Sequence, residues 1–346
     1  MQGGVILALS AALLFGVSAP FAKLLLRSAA PQLLAGLLYL GSGVGLAALW
    51  LGRRRSRHEA PLTRRDGSWL AGAIAFGGVL GPMLLMTGLA RTPASSASLL
   101  LNLEGVFTAL IAWFVFRENF DRRIALGMLA IVAGGVVLSW VGRLELGGLT
   151  GPFMIAGATL CWGLDNNLTQ KVSARDPVQI AMLKGLAAGS VNTAIALALG
   201  TAWPTLPRVG AALVLGFLSY GVSLVFFVLA LRHLGTARTG AYFAAAPFVG
   251  AAVSLAVFGE RPSLAFGAGA ALMALGVWLH VTERHEHEHV HEAMEHEHLH
   301  VHDEHHQHAH GPDDPPGEPH SHPHHHEPTV HTHPHYPDIH HRHAHD

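Results

Sequence analysis

Ten apolar segments, each near the length of a bilayer crossing, constrain this chain more than any other feature. They lie at roughly 4–26, 32–51, 69–89, 94–116, 123–141, 151–170, 178–199, 209–231, 237–259 and 263–281. A helix rises 1.5 Å per residue, so about 20 apolar residues cross a hydrocarbon core of about 30 Å. No water is available there to hydrogen-bond the backbone, so a spanning segment closes its own bonds as a helix. Only 13% of the residues are charged, well below the ~25% of a soluble domain. The first segment resembles a signal peptide in its apolar length. It lacks a basic leading region, however, and Pro20 follows Val17-Ser18-Ala19, where proline blocks cleavage, so it reads as a retained helix. The connections are short and hold Pro31, Pro61, Pro93, Pro177, Pro204, Pro207 and Pro262.

Lys and Arg placement orients such a bundle. Connections after segments two, four, six and eight carry Arg53, Arg54, Arg55, Arg57, Arg64, Arg65, Arg117, Arg122, Arg123, Lys171, Arg175, Arg232 and Arg238. Connections after the odd segments carry only Lys23, Arg27, Arg91, Arg143, Arg208 and Arg261. Thirteen against six predicts that both termini are cytoplasmic.

The chain also repeats itself. Laid on Tyr242–Leu279, the stretch Leu100–Val137 matches Val115, Phe116, Glu118, Gly127 and Gly134 to Val257, Phe258, Glu260, Gly269 and Gly276. A shared Glu among apolar residues is more than common greasiness supplies, and a repeat of this length divides the fold in two. Five helices per half is an odd number, so the second half enters the membrane from the opposite side. The expected fold is therefore an all-α membrane protein of ten transmembrane helices, as two inverted five-helix repeats at 1–143 and 144–284. A disordered, His-rich cytoplasmic tail follows at 285–346. Inverted repeats of this kind build secondary transporters, with the substrate held near the midplane between halves.

The residues that carry this pattern resemble the drug/metabolite transporter superfamily, in its ten-helix EamA branch. The likeness covers 4–282. It rests on Phe15-Gly16 against Trp162-Gly163, on Glu104-Gly105 with the Phe116-Arg117-Glu118 helix end, and on Ala246-Pro247 with the Phe258-Gly259-Glu260 end. Gly127 and Gly269 each follow a Glu by nine residues. Phe15 stands where the family pattern has Trp, and Gly105 where it has Pro. The resemblance implies an inner-membrane carrier of small metabolites, often an exporter, with helices 1, 3, 4, 6, 8 and 9 lining the cavity.

Within the spans, ionisable groups are costly and point to function. Glu104 sits near the middle of segment four, placed for amine recognition or proton coupling, with a protonated acid bonded to a neighbouring helix as the alternative. Asn102 is two residues away, roughly 200° round the helix, so both cannot face one site squarely. Segment six carries Asp165-Asn166-Asn167, Thr169 and Gln170. Cavity lining is the first reading of this cluster, with interhelical hydrogen bonding as the alternative. Trp162 and Tyr220 are aromatic candidates for a substrate wall or for packing against lipid. Glu118 and Glu260 read as structural, capping the following turn or pairing with nearby Arg. The runs Gly41, Gly43, Gly45 and Gly267, Gly269 read as close helix approaches. Enzyme readings fail: His233 and His280 are at segment ends, so no Ser-His dyad forms at depth. There is also no GxxxxGK[ST] phosphate loop.

The tail is a second chemistry. Residues 285–346 hold 24 of the 27 His, 13 Asp or Glu and one Arg, a formal −12 against +11 for residues 1–284. Such a segment cannot bury a core. Neutral imidazoles bind Zn, Ni, Co and Cu, and His285, His287, His289, His291, His296, His298, His300, His302, His305, His306, His308 and His310 are the candidate ligands. Transport itself requires no cofactor. The partners expected are lipid bilayer, a small-molecule substrate and divalent metal on the tail, with a homodimer compatible and no nucleic acid. Three functions stay open on these residues: a metabolite carrier, a divalent-metal carrier with the tail as collector, and a metal or pH sensor on a carrier-like scaffold. Against the second, the spans show no HxxxD-type ligand set, only Glu104 and Asp165.

Overall fold

The computed structural model describes the chain except residues 1, 53–61, 117–121, 140–148, 173–174, 283–285, 292–293, 301–319, 327–328 and 335–346. Across 2–282 every described regular element is helical: α1 (Gln2–Gly16), α2 (Ser18–Leu25), α3 (Pro31–Gly52), α4 (Gly67–Ala73), α5 (Gly81–Arg91), α6 (Ala94–Leu100), α7 (Leu103–Phe116), α8 (Arg122–Ser139), α9 (Thr150–Gln170), α10 (Pro177–Ala198), α11 (Leu206–Gly216), α12 (Ser223–Phe243), α13 (Ala246–Phe258) and α14 (Leu264–Val281). Six helical stretches are long and apolar enough to cross a membrane: Gly3–Leu25, Pro31–Gly52, Arg64–Arg91, Ala94–Val115, Pro177–Ala198 and Leu206–Ala230. Ala125–Ser139, Ala246–Phe258 and Leu264–Leu279 are shorter apolar helices. Exposed Leu126, Leu129 and Val136 on α8, at helical spacing, form the kind of apolar outer stripe that faces lipid.

The run labelled α12 is not straight. Phe227 and Phe243 lie sixteen positions apart, which a straight helix separates by about 24 Å. Their ring centroids are 4.8 Å apart. The chain therefore doubles back inside α12, whose start completes segment eight and whose end begins segment nine.

Two kinds of irregularity recur at the spacing of the repeat. A π-helical turn occupies Ile74–Leu80, between α4 and α5, and a second occupies Phe217–Val222, between α11 and α12. A break separates α6 from α7 at 101–102, and another separates α12 from α13 at 244–245. Both pairs are 143 positions apart. The breaks are tightened turns: Asn102 N–H donates to Leu99 O (3.0 Å) and Ala245 N–H to Tyr242 O (3.2 Å).

The first π-turn has a cause in the sequence. The N–H of Gly81 reaches back five residues to Phe76 O. The next residue is Pro82, which has no N–H to give, so Gly77 O is left without its backbone donor. Two side chains take it: Tyr39 OH at 2.8 Å and Trp162 Nε1 at 3.0 Å. Asn192 Nδ2 donates to the neighbouring Gly78 O at 3.0 Å. Three helices are thereby tied to one proline-freed stretch of backbone.

Helices in lipid gain nothing by hiding apolar surface from one another, so close packing through small residues holds them together. Signature glycines Gly16 and Gly163 both serve this purpose. A Cβ on Gly163 would lie 3.0 Å from Phe107 Cβ and 3.0 Å from Thr108 N on α7. One on Gly16 would collide with Ala246 O and lie 3.0 Å from Val249 Cβ on α13. Gly41, Gly43 and Gly45 pack against Leu213, Leu186 and Phe217, and Gly269 against Leu138. Gly267, expected at a close approach, faces open space instead.

The tail departs from the expected absence of regular structure. Strand β1 (Glu286–His291) pairs antiparallel with β4 (Thr329–Pro334), and β2 (Met294–His300) with β3 (His320–His326). Both ladders share one register. The cause is local: alternating His and Glu have the period of a strand, and β-branched Val290 stands opposite Val330. A backbone ladder needs no buried core. The candidate ligands His285, His302, His305, His306, His308 and His310 lie outside the described residues.

Candidate functional site

The polar residues of the membrane part separate into two groups, and one residue decides the division. Lys184, on α10, is buried and points its ammonium at Asp165 on α9, 2.6 Å from Oδ1 and 2.8 Å from Oδ2. Thr169 Oγ1, one turn along α9, donates to Asp165 Oδ1 at 2.8 Å and accepts from Lys184 Nζ at 3.2 Å. Gly77 permits this arrangement: a Cβ there would overlap the Asp165 carboxylate. The expected cavity acid Asp165 is therefore a buried ion-pair partner with every strong hydrogen-bonding need met. Lys184 was passed over in the sequence because one Lys inside an apolar run looks incidental. The available signal was that two ionisable residues at membrane depth call for each other.

Asn166 is one residue on and about 100° round from Asp165, and it faces α7. Its Nδ2 donates to Glu104 Oε1 at 2.8 Å and to Thr108 Oγ1 at 3.2 Å. Glu104 is half-buried while Asn166 and Gly105 are exposed, so the pair lies at the accessible edge of the seam between α7 and α9. Among the described residues Glu104 has no Lys or Arg partner at salt-bridge distance. Asn167, by contrast, is buried glue: its Nδ2 donates to Gly163 O at 2.8 Å and Thr108 O at 3.2 Å.

Glu104 opens α7 directly after the helix break. It therefore projects from the first turn of a half-helix at the middle of segment four, where an interruption exposes backbone. Asn102 does not join it. The Asn102 amide donates to Leu99 O at 2.9 Å and approaches Met273 Sδ at 3.9 Å, buried inside the break.

Trp162 lies one turn before Asn166 on α9, with its indole N–H held by Gly77 O. Its ring meets Phe15 edge-on at 5.9 Å, and Phe15 meets Tyr220 at 5.9 Å and Phe243 at 5.5 Å. Tyr220 in turn lies 5.4 Å from Tyr39. Sequence reasoning named Trp162 and Tyr220, and it noted Phe15 only as a family departure. It missed Tyr39 and Phe243, which complete an aromatic cluster joining α1, α3, α9, the second π-turn and α12. Trp162, Tyr220 and Tyr39 are all buried, so they form the floor of this region. Among the described residues no group of three or more His, Cys, Asp or Glu could hold a metal ion.

Across the described part of 2–282 these features define an all-helical protein with membrane-length apolar helices and an acid at an interrupted helix. The chain belongs to the EamA-like transporter family, whose pattern matches residues 2–140 and again 149–282. It is 30% identical over 293 residues to an "Uncharacterized transporter" of Methanothermobacter thermautotrophicus, covering 80% of this chain and 85% of that protein. It is 39% identical over 84 residues to a "Probable 4-amino-4-deoxy-L-arabinose-phosphoundecaprenol flippase subunit ArnE" of Pseudomonas fluorescens, covering 24% of this chain and 72% of the flippase subunit. A solved crystal structure superimposes with a TM-score of 0.59 at 20% identity, over 80% of this chain and 94% of the other, a likeness of fold.

Proposed function

We propose that this chain is a ten-span secondary transporter that exports a small, amine-bearing organic metabolite across the inner membrane by alternating access. The observation that carries the reading is Glu104. It is a half-buried carboxylate with Asn166 as donor and no cationic partner among the described residues, at a helix break between the repeats. Glu104 is unneutralised, whereas Asp165 is cancelled by Lys184. With Glu104 ionised the centre carries one net negative charge, which one ammonium or one proton neutralises. Asn166 orients the carboxylate, and Trp162 with its aromatic neighbours gives the substrate's apolar body a floor.

Recurrence of the π-turns and helix breaks at one spacing supports repeats of 1–143 and 144–284 moving as two units. Thirteen against six Lys and Arg supports cytoplasmic termini. A homodimer is compatible with the exposed apolar faces. The tail at 285–346 binds divalent transition metal in this reading. Its ladders set His287 opposite His333, His289 opposite His331, His296 opposite His324, His298 opposite His322 and His300 opposite His320. The divalent-metal carrier reading loses its second membrane ligand, because Asp165 is held by Lys184.

The test is efflux of candidate amines from cells or proteoliposomes carrying Glu104→Gln. The carboxamide still accepts from Asn166 and adds no charge to the bilayer, so abundance stays at the wild-type level. Transport falls at least tenfold. Wild-type efflux by the Gln variant would remove Glu104 from the site.

A further inference from the structure

The Glu shared by both halves has a different partner from the one its position suggests. Glu260 follows α13 in the second half. It does not cap the turn after it; it caps the first turn of α6, in the first half. Its Oε1 accepts from Ala94 N–H at 3.1 Å and its Oε2 from Ser95 N–H at 3.3 Å, and the Ser95 hydroxyl donates to Oε2 as well. Gly259 makes this reach possible. It ends α13 at φ +62°, a left-handed turn that suits glycine and swings the chain over α6.

Two more charged side chains gather at the same end. Lys23, in α2, donates to Leu89 O and to Thr92 O (2.9 Å), closing the carbonyls that end α5. The Arg27 guanidinium stands 5.7 Å from the Phe258 ring centroid on α13. Glu260 and Arg27 fasten α13 to α6 and to the end of α2 across the boundary between the repeats, and Lys23 fastens α2 to α5 within the first repeat. This end lies opposite the Arg-rich connections.

The kind of fastening matters. Glu260 and Lys23 are half-buried, and Arg27 is exposed. Water can replace their hydrogen bonds as the end opens, leaving nothing unsatisfied. Deeper contacts between the halves rest on packed glycines, Gly16 against Ala246 and Gly163 against Thr108, where there is no such bond for water to replace. We propose that Glu260 is the latch of an outer gate, holding the two repeats together at this end and releasing α6 when the carrier opens outward. The proposal rests on the transport reading above. Glu118, the repeat mate of Glu260, lies outside the described residues.

The test measures access to Gly105, the residue beside Glu104, which needs no substrate. Gly105 is exposed with open space around it, so Gly105→Cys on a Cys161→Ser background supplies a label site. A membrane-impermeant thiol reagent is added to the outer face of right-side-out vesicles. Glu260→Ala removes charge-assisted hydrogen bonds and raises the labelling rate about tenfold. Glu260→Gln and Ser95→Ala raise it less, and they carry the test if the Ala variant fails to insert. Bridging the Ser95→Cys/Glu260→Cys double variant with a short bis-thiosulfonate stops labelling at Gly105→Cys and stops transport, and reductant restores both. Unchanged labelling in all three single variants overturns the latch. So does faster labelling only from the opposite face, or undiminished transport in the bridged protein. If labelling responds as expected but no amine is moved by the wild type, the latch stands and the transport reading falls.

Discussion

Replacing Asp165 by Asn tests the central structural claim, that Asp165 and Lys184 are one unit. The carboxylate lies 2.6 Å from the Lys184 ammonium, and both residues are buried. Asparagine removes the charge but not the ammonium, which is left with neutral acceptors alone, the Asn carbonyl oxygen and the Thr169 hydroxyl at 3.2 Å. Removing one partner of a buried ion pair costs about 3–5 kcal/mol, because the remaining charge stays in low dielectric. That is a large part of a stability of about 5–15 kcal/mol. Lys184→Met alone leaves the carboxylate stranded at similar cost. The double variant Asp165→Asn/Lys184→Met strands no charge and recovers most of the loss, giving a coupling near ~3 kcal/mol in the double-mutant cycle. Melting in mild detergent, followed by size-exclusion fluorescence with membrane abundance in parallel, reads the effect. Each single variant melts on the order of 5–10 °C below wild type, and the double variant lies above both. Gly77→Ala behaves like a single variant, since its methyl displaces the same carboxylate. Wild-type melting of both singles, or a double variant worse than either, refutes the pairing.

Three further outcomes are expected. Gly163→Val drives a branched side chain into the backbone of α7 at Thr108 and sharply lowers folded yield, whereas Gly105→Ala, with open space around it, is tolerated; detergent-extracted monodisperse protein measures both. A topology reporter fused after His280 is active on the cytoplasmic side, and periplasmic activity would invert the orientation and undo the outer placement of the gate. Deleting 285–346 removes any response of transport to Zn or to mild acid but leaves transport itself. The sign follows from charge: below a pKa of about 6.5 the imidazoles protonate, the formal −12 of the tail is cancelled, and its attraction to the Arg-rich face, felt within about 8 Å at physiological salt, is lost. Equal metal and pH responses of the full-length and truncated proteins would make the tail a passive chelator.

The helical segments were legible in the sequence because hydropathy and length decide them with little help from neighbours. The importance of Gly16 and Gly163 was legible too, through the family resemblance, but the surface each one meets was not. Glu104 and Asn166, named from their polarity at depth, are brought together by a hydrogen bond. Asp165 was found and given the wrong surroundings, because its meaning depends on Lys184, nineteen residues away on another helix. Asn102 had the same composition-level signal as Asn166 and a different fate, since the helix break consumes its amide locally. The first π-turn left a trace in Gly77-Gly78 followed by Pro82, which the side chains of Tyr39, Trp162 and Asn192 then exploit. No such trace announces that a helical run doubles back within α12. Only the distance between Phe227 and Phe243 shows it.

The repeated scaffold carries unlike chemistry on its two matching seams. Gly163 packs α9 against α7, and Gly16 packs α1 against α13. The first seam holds Glu104, Thr108, Asn166 and Asn167, bonded across the helix interface. At the second, the positions matching Glu104-Gly105 are Ala246-Pro247, and the close contacts are Gly16, Ala246 and Gly250. Ser98, which borders that seam, satisfies its hydroxyl within its own helix by donating to Ala94 O at 2.8 Å. Among the described residues a shift along the α1–α13 seam therefore breaks no hydrogen bond between those two helices, so no buried polar group on the seam is left unpaired at about 1–3 kcal/mol each; the tie of α1 to α12 is the single bond from Ser223 Oγ to Ala11 O at 2.9 Å. A shift along the α7–α9 seam would break three. In the proposed cycle the α7–α9 seam keeps the charged group and the substrate in fixed relation, and the α1–α13 seam is the surface that slides. The Glu260 latch lies at the end of α13, so it holds the sliding seam, which is the one that movement between the repeats must release.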